Sequence, residues 1–212
     1  MKKLLWSAAI LFLVLGSWIL TSMTFPDGGD NGYKVGDFTT DFELKNVDGN
    51  KVSMGSMKYS SAKGFIVVFT CNHCPFAKKY EQRIMDLDKK FASQGFPVIA
   101  INPNDPNREP EDSFDNMVKR AKEKGYTFPY LIDETQKIAY TYGAQRTPQI
   151  YLVKKAEGKL QLVYTGAIDD NVQDVSAVKE KYVEKAIGEI LAGKAVSAPS
   201  TKAVGCLIKW QQ

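Results

Sequence analysis

Two cysteines separated by two residues, in Cys71-Asn72-His73-Cys74-Pro75, are the side chains of this sequence best suited to chemistry. The run before them, Phe65-Ile66-Val67-Val68-Phe69, is continuously apolar and reads as a strand buried on both faces, as in a parallel sheet. After them Phe76, Tyr80, Ile84, Leu87 and Phe91 recur at steps of four or three, which predicts a helix from about Pro75 with one apolar face turned inward. A strand therefore delivers Cys71 to a helix N-terminus, where N–H groups lack intrahelical partners and the peptide dipole is positive. Such a position favours a thiolate, with a pKa of about 3.5 to 7.5 against about 8.5 for a free thiol. Cys74, one turn on, is placed to close a disulfide and release whatever partner Cys71 has captured. The spacing thus predicts a reversible dithiol switch, Cys71 attacking and Cys74 resolving.

Other readings of the same residues are weaker. A closed zinc site needs four ligands, His73 is the only histidine, and Cys206 does not complete the set. A purely structural disulfide across two intervening residues closes a tiny loop and removes little unfolded-chain entropy. His73 is placed to stabilise the Cys71 thiolate, the alternative being an exposed loop histidine of little effect. Arg146 is a second candidate source of positive charge, or else a solvated surface arginine. Lys78 and Lys79 fall on the exposed helix face. Cys206, among Val204, Leu207 and Ile208, reads as a small buried hydrophobe that exchange does not need; as an odd cysteine it has the alternatives of resolving Cys71 or linking two chains.

The elements that must hold these residues can be read in order. Lys2 and Lys3 precede an apolar stretch from Leu4 to Leu20, so residues 1–24 are a secretory signal peptide or an N-terminal membrane anchor, and the body is exported. Residues 25–33, rich in Gly and Asp, form a linker; 34–193 form one domain; 194–212 form a C-terminal tail. Asp48-Gly49 predicts the turn of an N-terminal hairpin between Phe42–Val47 and Lys51–Met54. Strands follow at Phe96 to Ile101, Phe128 to Ile132, Gln149 to Val153 and Leu160 to Thr165. Helices follow at Phe114 to Gly125, at Ile138 to Gly143, and from Val175 to Ile190. This order implies an α/β fold, a central mixed sheet with helices on both faces. The net charge is +4, of which Lys2 and Lys3 supply two, leaving too little for a nucleic-acid footprint.

With the dithiol at a strand-to-helix junction and Thr147-Pro148 just before a later strand, the chain resembles the thioredoxin superfamily over about Tyr33 to Ala192. The resemblance implies a thioredoxin-like fold and a cis Pro148 lying against the dithiol; the plain alternative is a proline opening a strand. A closer similarity is to the exported redoxin branch related to alkyl hydroperoxide reductase and thiol-specific antioxidant proteins, carried by Asn102 to Phe114, Phe128 to Gln136 and Gly205-Cys206-Leu207-Ile208-Lys209-Trp210. Where several members of that group have a further cysteine before the Thr-Pro pair, this chain has Arg146. Peroxiredoxins carry a proline seven residues and a threonine three residues before the reactive cysteine; counted from Cys71 these are Gly64 and Val68, and counted from Cys74 they are Val67 and Cys71. The buried acid that many thioredoxins keep near the dithiol has no counterpart in Phe65 to Phe69. Asp133 and Glu134 match it only by loose position and read as a solvated strand end. The resemblance implies a thiol-disulfide oxidoreductase at the periplasmic or extracytoplasmic face of the membrane, acting on protein or small-molecule thiols and disulfides. It implies no metal, nucleotide or flavin cofactor. The alternatives are a redoxin-type thiol peroxidase and a copper-handling module, the latter wanting a distant histidine that the sequence does not have.

Overall fold

The five apolar residues before the cysteines are fully buried, and their alternation decides the layering of the molecule. Ile66 and Val68 point to one face with Ile84, Leu87 and Phe91 of the following helix, while Phe65, Val67 and Phe69 point to the other with Tyr142 and Tyr151. A strand covered on both sides gains about 1.5–3 kcal/mol for each large apolar side chain removed from water, so it belongs at the sheet centre.

A computed structural model describes residues 32–212. In chain order the elements are β1 (Phe38–Thr39), β2 (Leu44–Asn46), β3 (Lys51–Val52), β4 (Gly64–Phe69), α1 (Pro75–Phe91), β5 (Val98–Asn102), α2 (Phe114–Lys124), β6 (Tyr130–Ile132), α3 (Lys137–Tyr142), β7 (Arg146–Thr147), β8 (Gln149–Ala156), β9 (Lys159–Gly166), α4 (Tyr182–Leu191) and β10 (Cys206–Leu207). Eight strands form a mixed sheet in the order β1-β9-β8-β4-β5-β6-β2-β3. β4 is parallel to β5 and antiparallel to β8, with Val67 opposite Ile99 on one side and Tyr151 on the other. This is the thioredoxin-like α/β architecture. Gly64 opens β4 because the strands meet closely there: a Cβ would lie 2.2 Å from the Val153 carbonyl oxygen.

Two features differ from the sequence expectation, and a third fills it in. The last helix begins at Tyr182 rather than near Val175, because Asp174 accepts from the Ser176 N–H and hydroxyl while Asp170 accepts from the Lys179 N–H. The Asp174 bonds cap a separate 3-10 turn at Val175–Ala177, after which Val178 is extended, so the α-helix starts only at Tyr182. Tyr33, assigned to the linker, packs edge-on against Tyr142 and hydrogen-bonds Thr40. The C-terminal segment is docked: β10 pairs with β7 in a second, two-stranded sheet, and Ile208 and Trp210 are buried. The expectations for the leader and for most of the linker lie outside the described residues. No described helix is long and apolar enough to cross a membrane.

Candidate functional site

Cys71 follows the end of β4, and Cys74 is the N-cap residue of α1, with Pro75 in the first turn, where its missing N–H costs nothing. Both are buried, Cys71 at 4% exposure and Cys74 at 0%. The disulfide present joins Cys74 to Cys206, with Cα atoms 6.0 Å apart, and Cys71 is the free thiol. The sequence expectation of a Cys71-Cys74 bond is thus not the pairing in this structure, and Cys206, expected as a packing residue, is bonded to Cys74 as well as packed against the cysteine cluster. The cause lies far along the chain. β10 places Cys206 opposite Thr147, and Thr147 faces the dithiol: its hydroxyl is 3.1 Å from Cys71 Sγ and its carbonyl oxygen 3.2 Å from Cys74 Sγ. The Thr147-Pro148 bond is cis, as the resemblance implied. Gly205 lets the tail come this close, since a Cβ there would sit 2.3 Å from the Thr147 carbonyl oxygen.

A carboxylate that sequence reasoning missed organises the other side. Asp112, at the end of a 3-10 turn and fully buried, accepts from the N–H groups of Asn72 (2.6 Å) and His73 (3.1 Å) through Oδ1. Its Oδ2 accepts from Asn104 Nδ2 (2.7 Å) and lies 2.6 Å from His73 Nδ1. With so many N–H donors converging, the network assigns Asp112 as the ionised acceptor and the shared proton to Nδ1. Asn72 is fixed from both ends, donating to the Glu111 carbonyl and accepting from the Tyr130 hydroxyl. Asn104 also accepts from the Lys209 N–H, so acid, cysteine loop and tail share one hydrogen-bond network.

The electrostatic result reverses the expectation for Cys71. Its thiol is pushed up to about 12, first by burial and second by the Asp112 charge. The Thr147 hydroxyl and the N–H groups of Cys74 and His73 act in the lowering direction without prevailing. The helix terminus that was expected to lower it belongs to Cys74, three residues further on. His73 is where expected, Nδ1 3.6 Å from Cys71 Sγ, but that nitrogen is engaged more closely by Asp112.

Arg146 is turned to the tail, Nη1 donating to the Gly205 carbonyl at 2.8 Å. Asp133 is not a solvated strand end: it is buried at 2% exposure, its Oδ2 accepts from the Ala139 N–H at the start of α3, and burial raises its pKa to about 6. Glu134 beside it is exposed. Gly64 and Val68 lie within β4, Val68 at 0% exposure in the core. Cys71, His73 and Asp112 offer a sulfur, a nitrogen and an oxygen within 4.8 Å of one another, a donor set of the kind that soft or borderline metals accept. The 2.6 Å between Nδ1 and Oδ2 is a hydrogen bond, shorter than the roughly 3.3 Å between two ligands of one tetrahedral ion with bonds of about 2.0 Å. Thr147 and Asp112 carried no separate sequence signal, although both lie in stretches that support the resemblance.

The sequence profile of the AhpC/TSA family matches residues 35–163. The thiol-disulfide oxidoreductase ResA of Geobacillus thermodenitrificans (strain NG80-2) is 24% identical over 180 residues, covering 84% of this chain and 97% of that protein. An uncharacterised conserved protein from Geobacillus kaustophilus, solved by crystallography, is 36% identical with a TM-score of 0.76, covering 85% of this chain and 94% of its own. The exposed lipoprotein thioredoxin Etrx1 of Streptococcus pneumoniae shares the fold at 21% identity and a TM-score of 0.52, over 73% of this chain and 99% of its own.

Proposed function

From the premise that this chain belongs to the AhpC/TSA family and is a thiol-disulfide oxidoreductase, we propose that it works outside the cytoplasm, reducing disulfides or oxidising thiols of proteins and small molecules, with Cys71 as the attacking sulfur and Cys74 as the resolving one. The observation that carries this reading is a closed disulfide at Cys74 beside a free thiol at Cys71, both sulfurs resting on Thr147. The Cys71 thiolate, once formed, has the Thr147 hydroxyl and the backbone N–H groups of Cys74 and His73 as its donors, and cis Pro148 shapes the groove beside it. Attack on a substrate disulfide gives a mixed disulfide at Cys71; Cys74 attacks Cys71 Sγ, the reduced substrate thiol leaves, and a Cys71-Cys74 disulfide remains. Disulfide exchange is favoured over peroxide reduction because Gly64 and Val68, the counterparts of the peroxide-orienting residues, are packed inside β4. Export rests on the basic and apolar N-terminal segment, cleaved or kept as an anchor. The direct test is turnover of a disulfide substrate such as insulin with dithiothreitol. Cys71→Ser abolishes it under this reading, and Cys74→Ser leaves mixed disulfides on Cys71; trapping through Cys74 in the absence of Cys71 reverses the roles. Alkaline phosphatase fused after residue 33 tests export, being active only if the segment crosses the membrane.

A further inference from the structure

We propose that Cys206 is the sulfur at which a reductant enters the enzyme, so that the oxidised equivalent formed at Cys71 moves through Cys74 to the tail before it is discharged. The inference rests on the assignment of Cys71 and Cys74 to the substrate step. Of the three cysteines, Cys71 and Cys74 are buried and Cys206 is partly exposed, flanked by Val204 and Leu207, whose large apolar side chains are exposed to solvent. Cys206, itself only partly buried, packs against the small cluster of buried Cys71, Cys74 and Ala77. An approaching thiol therefore reaches Cys206 Sγ before Cys74 Sγ.

Leaving-group chemistry points the same way. When an external thiolate attacks Cys206, the departing sulfur is Cys74, at the N-terminus of the 17-residue helix α1, where a thiolate is favoured. Attack at Cys74 has to penetrate a fully buried position and expel Cys206 from a two-residue strand with no helix behind it.

The transfer balances at each step. In the Cys71-Cys74 disulfide the Cys206 thiolate attacks Cys74 Sγ, the Cys74-Cys206 bond forms, and Cys71 leaves and takes up the proton that Cys206 gave up. There is no net oxidation or reduction: one disulfide and one thiol are present before and after. The product is the state in this structure, in which burial and Asp112 hold Cys71 as a neutral thiol. A dithiol reductant then attacks Cys206 Sγ and releases Cys74. Its second thiol attacks its own sulfur in the mixed disulfide, leaving the reductant as a disulfide and both Cys74 and Cys206 as thiols. The tail is held for this role independently of the disulfide: the Ile208 N–H donates to the Gln145 carbonyl, the Asp105 N–H to the Lys209 carbonyl, and Arg108 to the Trp210 carbonyl. Cys206 consequently remains beside Cys74 when the bond opens.

The test uses the full oxidised chain. It is mixed briefly with glutathione, quenched with an alkylating reagent and mapped by peptide mass spectrometry. Glutathione on Cys206 with the alkyl group on Cys74 is the expected pattern, in at least tenfold excess over the reverse. Glutathione on Cys74 with Cys206 alkylated overturns the proposal. In a second arm Cys206→Ser, oxidised by substrate, accumulates the Cys71-Cys74 disulfide and is re-reduced by dithiothreitol at least tenfold more slowly than the parent chain; an equal rate also overturns it. The adduct map needs no variant, so it decides the matter even if Cys206→Ser folds poorly. Insulin turnover that survives Cys71→Ser contradicts the substrate-side assignment without altering the glutathione map, which separates the two failures.

Discussion

The two sides of Cys74 are built on opposite principles. Toward β4, Cys71 is enclosed with His73 and the buried Asp112, the N–H groups of Asn72 and His73 are held by that carboxylate, and the thiol is held neutral. Toward β10, Cys206 is partly open, held by backbone pairing to β7 and by the disulfide, with Val204 and Leu207 exposed around it. Burial with a carboxylate makes one thiol a poor nucleophile at neutral pH, and access makes the other sulfur the one a partner meets. Cys74, between them at the helix terminus, is bonded to Cys206 and is the sulfur that the proposed exchange also pairs with Cys71.

The largest effects are expected from removing Cys74 or Cys71, and Cys74 is the one that touches both sides. Cys74→Ser is expected to abolish catalytic disulfide turnover, because neither neighbour has a second sulfur to exchange with. The single-cysteine losses at Cys71 and Cys206 should differ from it and from each other, one failing with substrate and the other with reductant. Steady-state turnover of Cys74→Ser above the uncatalysed background would make the two sides independent and dissolve the comparison.

Much of the β4 side was legible in the sequence, and little of the β10 side. The apolar run at Phe65–Phe69 and the four-and-three spacing from Phe76 to Phe91 are local patterns. They define β4, α1 and the position of the cysteines, because two-sided burial and an amphipathic face leave a direct trace in residue order. Pairing across 132 residues leaves none: Cys206 sits on a two-residue strand whose only signal was the word Gly205-Cys206 in a recognised stretch. The acid was missed for a related reason. It was sought in the strand before the cysteines, whereas Asp112 arrives from the loop after β5 and reaches the site by hydrogen-bonding Asn72 and His73. The assignment of α1 to Cys71 rather than Cys74 then gave the wrong sign for the Cys71 pKa.

The second test concerns that sign. With its thiol raised from an ordinary 9.0 to about 12, Cys71 in the native oxidised chain should carry about 1,000-fold less thiolate near pH 8 than an unperturbed cysteine. Iodoacetamide modification of Cys71 is therefore slow and keeps rising with pH beyond 10, where a free thiol has levelled off. The same shift affects stability. The unfolded chain gives up the Cys71 proton near pH 9 while the native chain keeps it, so the contribution is neutral below pH 9 and is lost above it, by about 1.4 kcal/mol per pH unit. A profile that levels off near pH 7 would instead describe an activated thiol and erase the contrast between the two sides.

Third comes the carboxylate itself. Asp112→Asn removes the charge that opposes the Cys71 thiolate and weakens the bonds to Asn72, His73 and Asn104. Because hydrogen bonds to a charged group contribute about 1.5–3 kcal/mol and the backbone donors keep an amide acceptor, a loss of about 2–3 kcal/mol in unfolding free energy is expected. Cys71 alkylation should nevertheless accelerate in the folded variant. Burial remains the larger cause of the shift, so the pKa should fall only part of the way. Urea denaturation and the alkylation profile measure the two effects on one sample, and loss of stability with no acceleration would limit Asp112 to holding the loop.

The smallest expected effect falls on the tail, and it asks whether backbone fit or the disulfide holds Cys206 in place. Gly205→Ala puts a Cβ 2.3 Å from the Thr147 carbonyl oxygen, a main-chain atom that cannot rotate away. The β10-β7 contact must therefore open locally, at the cost of about 1–3 kcal/mol usual for overpacking. The downstream anchors, Ile208 and Trp210 in the core and the Lys209 carbonyl bonded to Asp105 and Gln136, are untouched, so the chain should still fold with its tail docked. What changes is the relation of Cys206 to Cys74. In a glutathione redox buffer, the equilibrium fraction of Cys74-Cys206 disulfide should fall by about the same free energy, roughly tenfold for each 1.4 kcal/mol, while Cys71-Cys74 pairing rises. A variant that keeps the parental disulfide distribution would show that the fit at Gly205 does not position Cys206, leaving the disulfide and the downstream anchors to do so.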